Sequence, residues 1–241
     1  MPFHFETLIR NHRIGAFFTS AEVNNPTTQS TTNVRRKELV DIARRYGVAI
    51  VEDYCYRAGH FDGVSYRALY PENGWYVTSF SKSISPALRI GCALCPDGLA
   101  HDLRQVVFAN SLGISLALIY LANYVLRHPK IDEIQDRVRH EVRSYVTETV
   151  NRLGQFDVHW QADVPIIWLN LPTGWRTTAI CQAAEQTGVL LSAGEQCVTR
   201  HTTVPHAVRL CVNSEYGLNR YLGGISTLAE LLQNPDSSSG I

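Results

Sequence analysis

The chain has 241 residues, with 22 basic and 22 acidic side chains and a formal net charge of zero. At 45% hydrophobic and 18% charged residues it can bury a sizeable core, which argues against disorder. The neutral balance leaves no electrostatic footprint for nucleic acid, so no nucleic-acid partner is expected of this chain.

In chain order, Ile14 to Ser20 is a short apolar run ending in polar residues and predicts a strand. Asn24-Asn25-Pro26-Thr27-Thr28 has the composition of a loop. Asn33 is a candidate N-cap for a helix over Val34–Tyr46, and Gly47 a candidate stop. The continuous apolar run Val48–Val51 predicts a parallel strand covered on both faces, with two acids, Glu52 and Asp53, at its carboxyl end. Trp75–Ser79 and Leu88–Leu94 predict two further strands. This rhythm is that of α/β architecture, in which ligands are expected at the carboxyl ends of strands.

From Asp97 to about Leu153 the pattern is helical, with a break at His128-Pro129. Val106–Leu126 carries no charge over a length that could span a membrane. Its Asn110, Ser111, Ser115 and Asn123, and its charged flanks, predict a buried helix of a larger fold, so no membrane partner is expected. Ile131, Ile134, Val138, Val142, Tyr145, Val146 and Thr149 recur mostly at spacings of three and four, the mark of a buried helix face. After Gly154 short strands are expected, including Val164–Leu171, Val189–Ser192 and Val208–Val212, with a helix over Arg176–Gly188. A last helix near Leu218–Leu232 and a frayed polar tail over Pro235–Ile241 complete the pattern.

Six cysteines in a chain this long, with no secretory pattern over Met1–Arg10, are expected to be thiols of a reducing cytosol, and a cytoplasmic location follows. Cys92 and Cys95 have the C-x-x-C spacing of redox and zinc sites, but no second pair follows and Ala93-Leu94 reads as buried strand. No metal site is expected.

The chemistry-bearing residues are modest one by one. Lys82 lies just past a predicted strand end in Ser79-Phe80-Ser81-Lys82, where a lysine is ordinarily solvated. Arg89 follows seven residues on, before Ile90-Gly91, and Asp53 ends another strand with Tyr56 three residues later. Arg209, between apolar neighbours in a predicted strand, needs an anionic partner or a wet face.

In order and spacing, Asn25-Pro26-Thr27, Asp53-x-x-Tyr56, Ser79-x-x-Lys82, Arg89-x-Gly91 and Arg209 resemble the fold-type I pyridoxal 5′-phosphate enzymes of aminotransferase class I/II. Within them the chain looks most like the aminotransferase-like domain of MocR-type (GntR) regulators. Pro86-Ala87-Leu88-Arg89-Ile90-Gly91, Leu171-Pro172-Thr173-Gly174-Trp175-Arg176 and Pro205-His206-Ala207-Val208-Arg209-Leu210 carry that finer likeness.

The resemblance implies that Lys82 bonds the aldehyde of pyridoxal 5′-phosphate and moves the substrate Cα proton. It implies Asp53 on the pyridine nitrogen, Tyr56 and Asn25 on the cofactor phenolic oxygen, and Ser79 and Arg89 on the phosphate. Arg209 is implied to grip the substrate carboxylate. It implies amino acid and 2-oxo acid substrates and a homodimer. It also implies a partial large domain at 1–100, linking helices at 101–153 and a small domain at 154–241. The expected function is a transaminase or a shortened form of one. The alternative is a cofactor- and effector-sensing regulator domain without turnover.

Three departures stand out. Thr28 stands where the family has glycine, so any need for φ > 0 falls on threonine. MocR-type regulators place their tyrosine one position earlier than Tyr56, where this chain has Cys55, and Tyr54 is the fallback candidate. Members of the family also carry a long segment before the Asn-Pro loop, with a phosphate-cradling turn and a stacking aromatic. The chain is therefore expected to be a carboxyl-terminal portion, prone to self-association through bare sheet edges and apolar faces.

Overall fold

The computed structural model describes residues 2–58, 63–199 and 202–234. The chain divides into two compact units, one of residues 1–24 and 29–138 and the other of 25–28 and 139–241. The division falls inside one long helix, Ile131–Leu153.

The first unit begins with α1 (Pro2–Asn11), then β1 (Ala16–Thr19), α2 (Asn33–Tyr46), β2 (Ala49–Tyr54), the short α3 (Tyr66–Leu69), β3 (Gly74–Ser79) and β4 (Gly91–Leu94). The strands form one sheet in the order β1-β2-β3-β4, parallel across the first two pairs and antiparallel between β3 and β4. This is the α/β, mostly parallel arrangement expected from the strand–helix–strand rhythm. The core lies where α1 and α2 meet the sheet and includes Phe5, Ile9, Leu39, Ala43, Val48 and Ile50.

Several local expectations shift. The N-cap of α2 is Thr32, whose hydroxyl accepts from Arg35 N at 3.3 Å; Asn33 instead accepts from Val64 N at 3.1 Å. Gly47 closes α2 as expected, in the left-handed conformation at φ 67°. β2 is not covered equally on both faces. Ile50 and Glu52 are buried, while Val51 and Asp53 on the other face are half-buried. The strand placed over Leu88–Leu94 splits into a 3-10 turn, Pro86–Leu88, and β4, whose four residues are exposed, so Ala93-Leu94 is strand but not core.

The charge-free stretch 106–126 is not one buried helix. It forms α4 (Ala100–Ser111) and α5 (Leu116–Leu126), broken where Leu112 and Gly113 take positive φ. α4 buries no residue and α5 only Ala122. Leu112, Leu116 and Tyr120 are among the most exposed apolar side chains of the chain. Most side chains of both helices are exposed, so their composition reports a surface to be covered rather than a covered one. Among the described residues, no helix is long and apolar enough to cross a membrane.

The second unit takes the latter part of α6 (Ile131–Leu153), then β5 (Asp157–Trp160), β6 (Ile166–Asn170), α7 (Thr177–Gln186), β7 (Ser192–Ala193), β8 (Ala207–Cys211) and α8 (Leu218–Gln233). Its sheet runs β5-β6-β8-β7 with every pair antiparallel. Val146 and Leu153 of α6, Ile180 of α7 and Leu228 of α8 pack with Leu169 and Val208 of the sheet in one apolar core. The predicted face of α6 is buried only from Tyr145 onward; Ile134 is exposed. The strand expected over Val189–Ser192 is the two-residue β7. The tail at Pro235–Ile241 lies outside the described residues.

Candidate functional site

In the first unit, β2 and β3 are parallel neighbours, with Asp53 opposite Val77 and Tyr54 opposite Thr78. Their carboxyl ends therefore open on the same side. Asp53 stands at one end, and the other leads through Ser79 into the turn that carries Lys82. Ser81 N donates to Ser79 Oγ at 3.2 Å, and the two hydroxyls are 3.0 Å apart. Ile84 N and Ser85 N both donate to the Phe80 carbonyl, at 2.9 and 3.1 Å. These bonds form a tight turn that leaves the Lys82 side chain exposed.

The chain returns through Arg89, which closes the 3-10 turn at φ 49°, into Gly91 opposite Ser79. A Cβ on Gly91 would lie 2.8 Å from the Thr78 carbonyl oxygen, so glycine is required for β4 to lie this close to β3. The register thus brings Asp53, Ser79, Lys82 and Arg89 to one end of the sheet.

The two adjacent acids of β2 have opposite fates. Glu52 is fully buried and accepts from Arg36 Nη1 at 2.5 Å and from Tyr66 N at 2.8 Å. Arg36 also donates to the carbonyls of Thr31 at 3.0 Å and Val64 at 3.3 Å. This pair is structural. Asp53 faces the other side of the sheet, and its Oδ1 is buried with no hydrogen-bond partner. A buried carboxylate oxygen left open calls for a donor, and among the described residues none reaches this one. Burial, together with a hydrogen bond to Asp53, pushes the Cys55 thiol up to about 12, so Cys55 stays protonated beside that carboxylate.

Tyr54, next along the strand, lies on the Glu52 face and lines a pocket with Arg36, Glu52 and Tyr76. It is thus turned away from Asp53, which leaves Tyr56, half-buried in the bend after β2, as the tyrosine candidate.

In the second unit, Arg209 of β8 lies opposite Trp168 of β6 and Ser192 of β7. Its Nη1 donates to Asn25 Oδ1 at 3.1 Å and its Nη2 to Ser192 Oγ at 3.3 Å, while its Nε is buried without a partner. Arg209 and Asn25, 184 residues apart in sequence, are brought together. With Asn25 Oδ1 on the arginine, its amide Nδ2 is directed elsewhere and remains a donor. Ser192 carries no motif signal; only the cross-strand register reveals it.

The loop holding Asn25 has a cis Asn25-Pro26 bond, and Thr28 sits at φ 60°. The position does take the left-handed conformation that suits glycine, and threonine adopts it at an energetic cost. The Thr28 carbonyl accepts from Gln161 Nε2, which ties the loop to the second unit. Among the described residues no cluster of His, Cys, Asp or Glu could hold a metal ion, and all six cysteines are free thiols.

The sequence profile described as aminotransferase class I and II matches residues 4–223. The chain belongs to that family. Its fold is that of α-aminoadipate aminotransferase from Thermus thermophilus, with a TM-score of 0.83 at 20% identity over 98% of this chain and 63% of that one. The kynurenine aminotransferase of Pyrococcus horikoshii gives a TM-score of 0.84 at 20% identity over 96% of this chain and 60% of that one. In sequence, the chain is 27% identical over 169 residues to the HTH-type transcriptional regulator NorG of Staphylococcus aureus, covering 66% of this chain and 38% of that protein. It is 22% identical over 235 residues to the HTH-type regulator YdeF of Bacillus subtilis, covering 97% of this chain and 51% of that one. The chain thus spans about half or less of these regulators' length.

Proposed function

We propose that this chain carries the lysine-bearing part of a pyridoxal 5′-phosphate site and serves amino-group transfer between an amino acid and a 2-oxo acid. The observation that carries the reading is the open, buried Oδ1 of Asp53 at the same sheet end as Lys82. It fits a protonated ring nitrogen as the donor to that open oxygen. When bound, the cofactor supplies an aldehyde carbon and an electron-withdrawing ring.

The residues of the chain do the rest. Asp53 holds the ring nitrogen charged. Tyr56 and Asn25 Nδ2 donate to the phenolic oxygen, and Ser79 and Arg89 hold the phosphate. Lys82 would hold the cofactor through Nζ and, beside the substrate Cα, would take up and return its proton. Arg209 binds the substrate carboxylate through its fork and fixes the direction of the Cα–H bond. A cytoplasmic homodimer accompanies this reading, and the exposed α4 and α5 supply apolar surface for self-association.

A second reading has a specific support. NorG and YdeF are HTH-type regulators. In that reading the same residues bind cofactor and an amine effector without turnover.

Adding pyridoxal 5′-phosphate should produce a visible absorption band that Lys82→Ala abolishes. Loss of the band on adding an amino acid, with formation of the matching 2-oxo acid, supports transfer. A band that shifts with amino acids and yields no oxo acid supports the regulator reading. A chain that shows no band, or the same band in Lys82→Ala, refutes both.

A further inference from the structure

The bend after β2 is anchored on both sides of Tyr56. Before it, Thr78 Oγ1 donates to the Tyr54 carbonyl at 2.9 Å and Cys55 Sγ to the Val77 carbonyl at 3.9 Å, which fastens residues 54 and 55 to β3. After it, Arg57 Nε donates to Glu22 Oε1, just beyond the end of β1. Tyr56 is thus carried between two fixed neighbours.

Glu22 has no freedom to follow a moving partner. Its side chain is 1% exposed, and that of Arg57 11%. The backbone around it is closed by hydrogen bonds from Thr31 N to the Ala21 carbonyl at 2.7 Å, from Ser30 Oγ to the Glu22 carbonyl at 2.5 Å and from Asn24 N to the Gln29 carbonyl at 2.9 Å. An exposed ion pair opens readily into water and holds little, whereas a pair this buried cannot open without stranding a desolvated charge. The exit of β1 therefore sets the place of Arg57 and of the backbone that bears it.

The Arg36–Glu52 pair fastens a helix to a strand. Glu22–Arg57 instead joins the exits of two parallel strands, at the sheet end where Asp53 stands. We propose that the Glu22–Arg57 pair is a positioning device for Tyr56, holding the bend so that the tyrosine hydroxyl is presented in one direction. The inference rests on the role proposed for Tyr56, donation to the cofactor phenolic oxygen. Glu22 and Arg57 act only through Tyr56.

Losing one partner strands a buried charge and endangers the fold, so both charges are removed together, in Glu22→Met/Arg57→Met. The first measurement needs no cofactor. In the full chain made with fluorotyrosine, fluorine NMR reads Tyr56, identified by the signal lost in Tyr56→Phe. It also reads Tyr70, which is 2% exposed in the core of the same unit. In the double variant the Tyr56 signal should move most of the way to its position in the urea-unfolded chain, while the Tyr70 signal stays. An unmoved Tyr56 signal, or equal movement of both, overturns the proposal.

The second measurement follows the visible band of bound pyridoxal 5′-phosphate with pH. A hydroxyl that donates to the phenolic oxygen favours its ionised form, so the midpoint lies lower with that bond than without it. Tyr56→Phe and the double variant should each raise the midpoint by about one pH unit. Combining all three substitutions should raise it no further. A midpoint unmoved by Tyr56→Phe or by the double variant, or a further rise when the three are combined, overturns the proposal. If the wild-type chain shows no band, the cofactor reading fails by itself, and the fluorine signal still decides whether the pair holds Tyr56.

Discussion

The two units close their interiors by different means. The second packs helices on one face of an antiparallel sheet and fills the space between with aliphatic side chains such as Leu169, Ile180 and Leu228, all fully buried. The first has an apolar core under α1 and α2, but places charge in its interior as well. Arg36 and Glu52 are 1% and 0% exposed, and the nearly buried Glu22 pairs with Arg57. It also leaves two apolar helices, α4 and α5, almost wholly uncovered. Apolar burial stabilises in proportion to area, whereas a buried ion pair offsets its desolvation only while both partners are present. The second unit therefore depends on filled volume, and the first on intact pairing.

That contrast can be broken in three ways. The largest effect is expected for Glu52→Gln, which leaves Arg36 buried without its counter-charge. It should cost about 3–5 kcal/mol, measured by urea denaturation of the first unit's signal. A cost below about 1 kcal/mol would show that the pair is not what closes the first unit. Next comes a matched pair of truncations. Leu169→Ala in the second unit should cost about 2–5 kcal/mol, while Leu121→Ala on exposed α5 should stay within about 0.5 kcal/mol. Similar losses at both positions would mean that α5 is covered in solution, and sedimentation at several concentrations would identify self-association.

The smallest effect is at Tyr66, buried in the first unit with an unpartnered hydroxyl. Burial raises its phenol from 10.0 to about 12. The folded state thus holds this proton more tightly than the unfolded state, so the contribution is complete below pH 10 and is lost as pH rises through about 12. Tyr66→Phe should change stability at neutral pH by less than about 1 kcal/mol and flatten the alkaline loss. Parallel pH profiles for the two proteins would refute that account.

The fold was legible where local signals agreed with packing. Val48–Val51 announced β2, and Gly47 marked the end of α2. It was illegible where burial depended on what lies beyond the segment. The composition of 106–126 argued for an interior, yet the break at Leu112–Gly113 turns it into two exposed helices. α1 escaped notice because only Phe5 and Ile9 of its ten residues are buried.

At the site, motif order proposes Asp53, Lys82 and Arg209, but residue type does not separate Glu52 from Asp53. Strand alternation does that, by turning one acid toward Arg36 and the other to an open position. Ser192 belongs to no motif and emerges only from the cross-strand register.

The four residues 25–28 belong with the second unit, though the chain on both sides of them belongs with the first. Asn25 waits for an arginine that follows 184 residues later. During synthesis from the amino terminus, this loop emerges long before the strand that will hold it. Its partner emerges 184 residues later, so the Asn25–Arg209 contact cannot form early. A product cut at the unit boundary would contain Arg209 and lack Asn25. No fragment beginning after residue 28 can reproduce that contact.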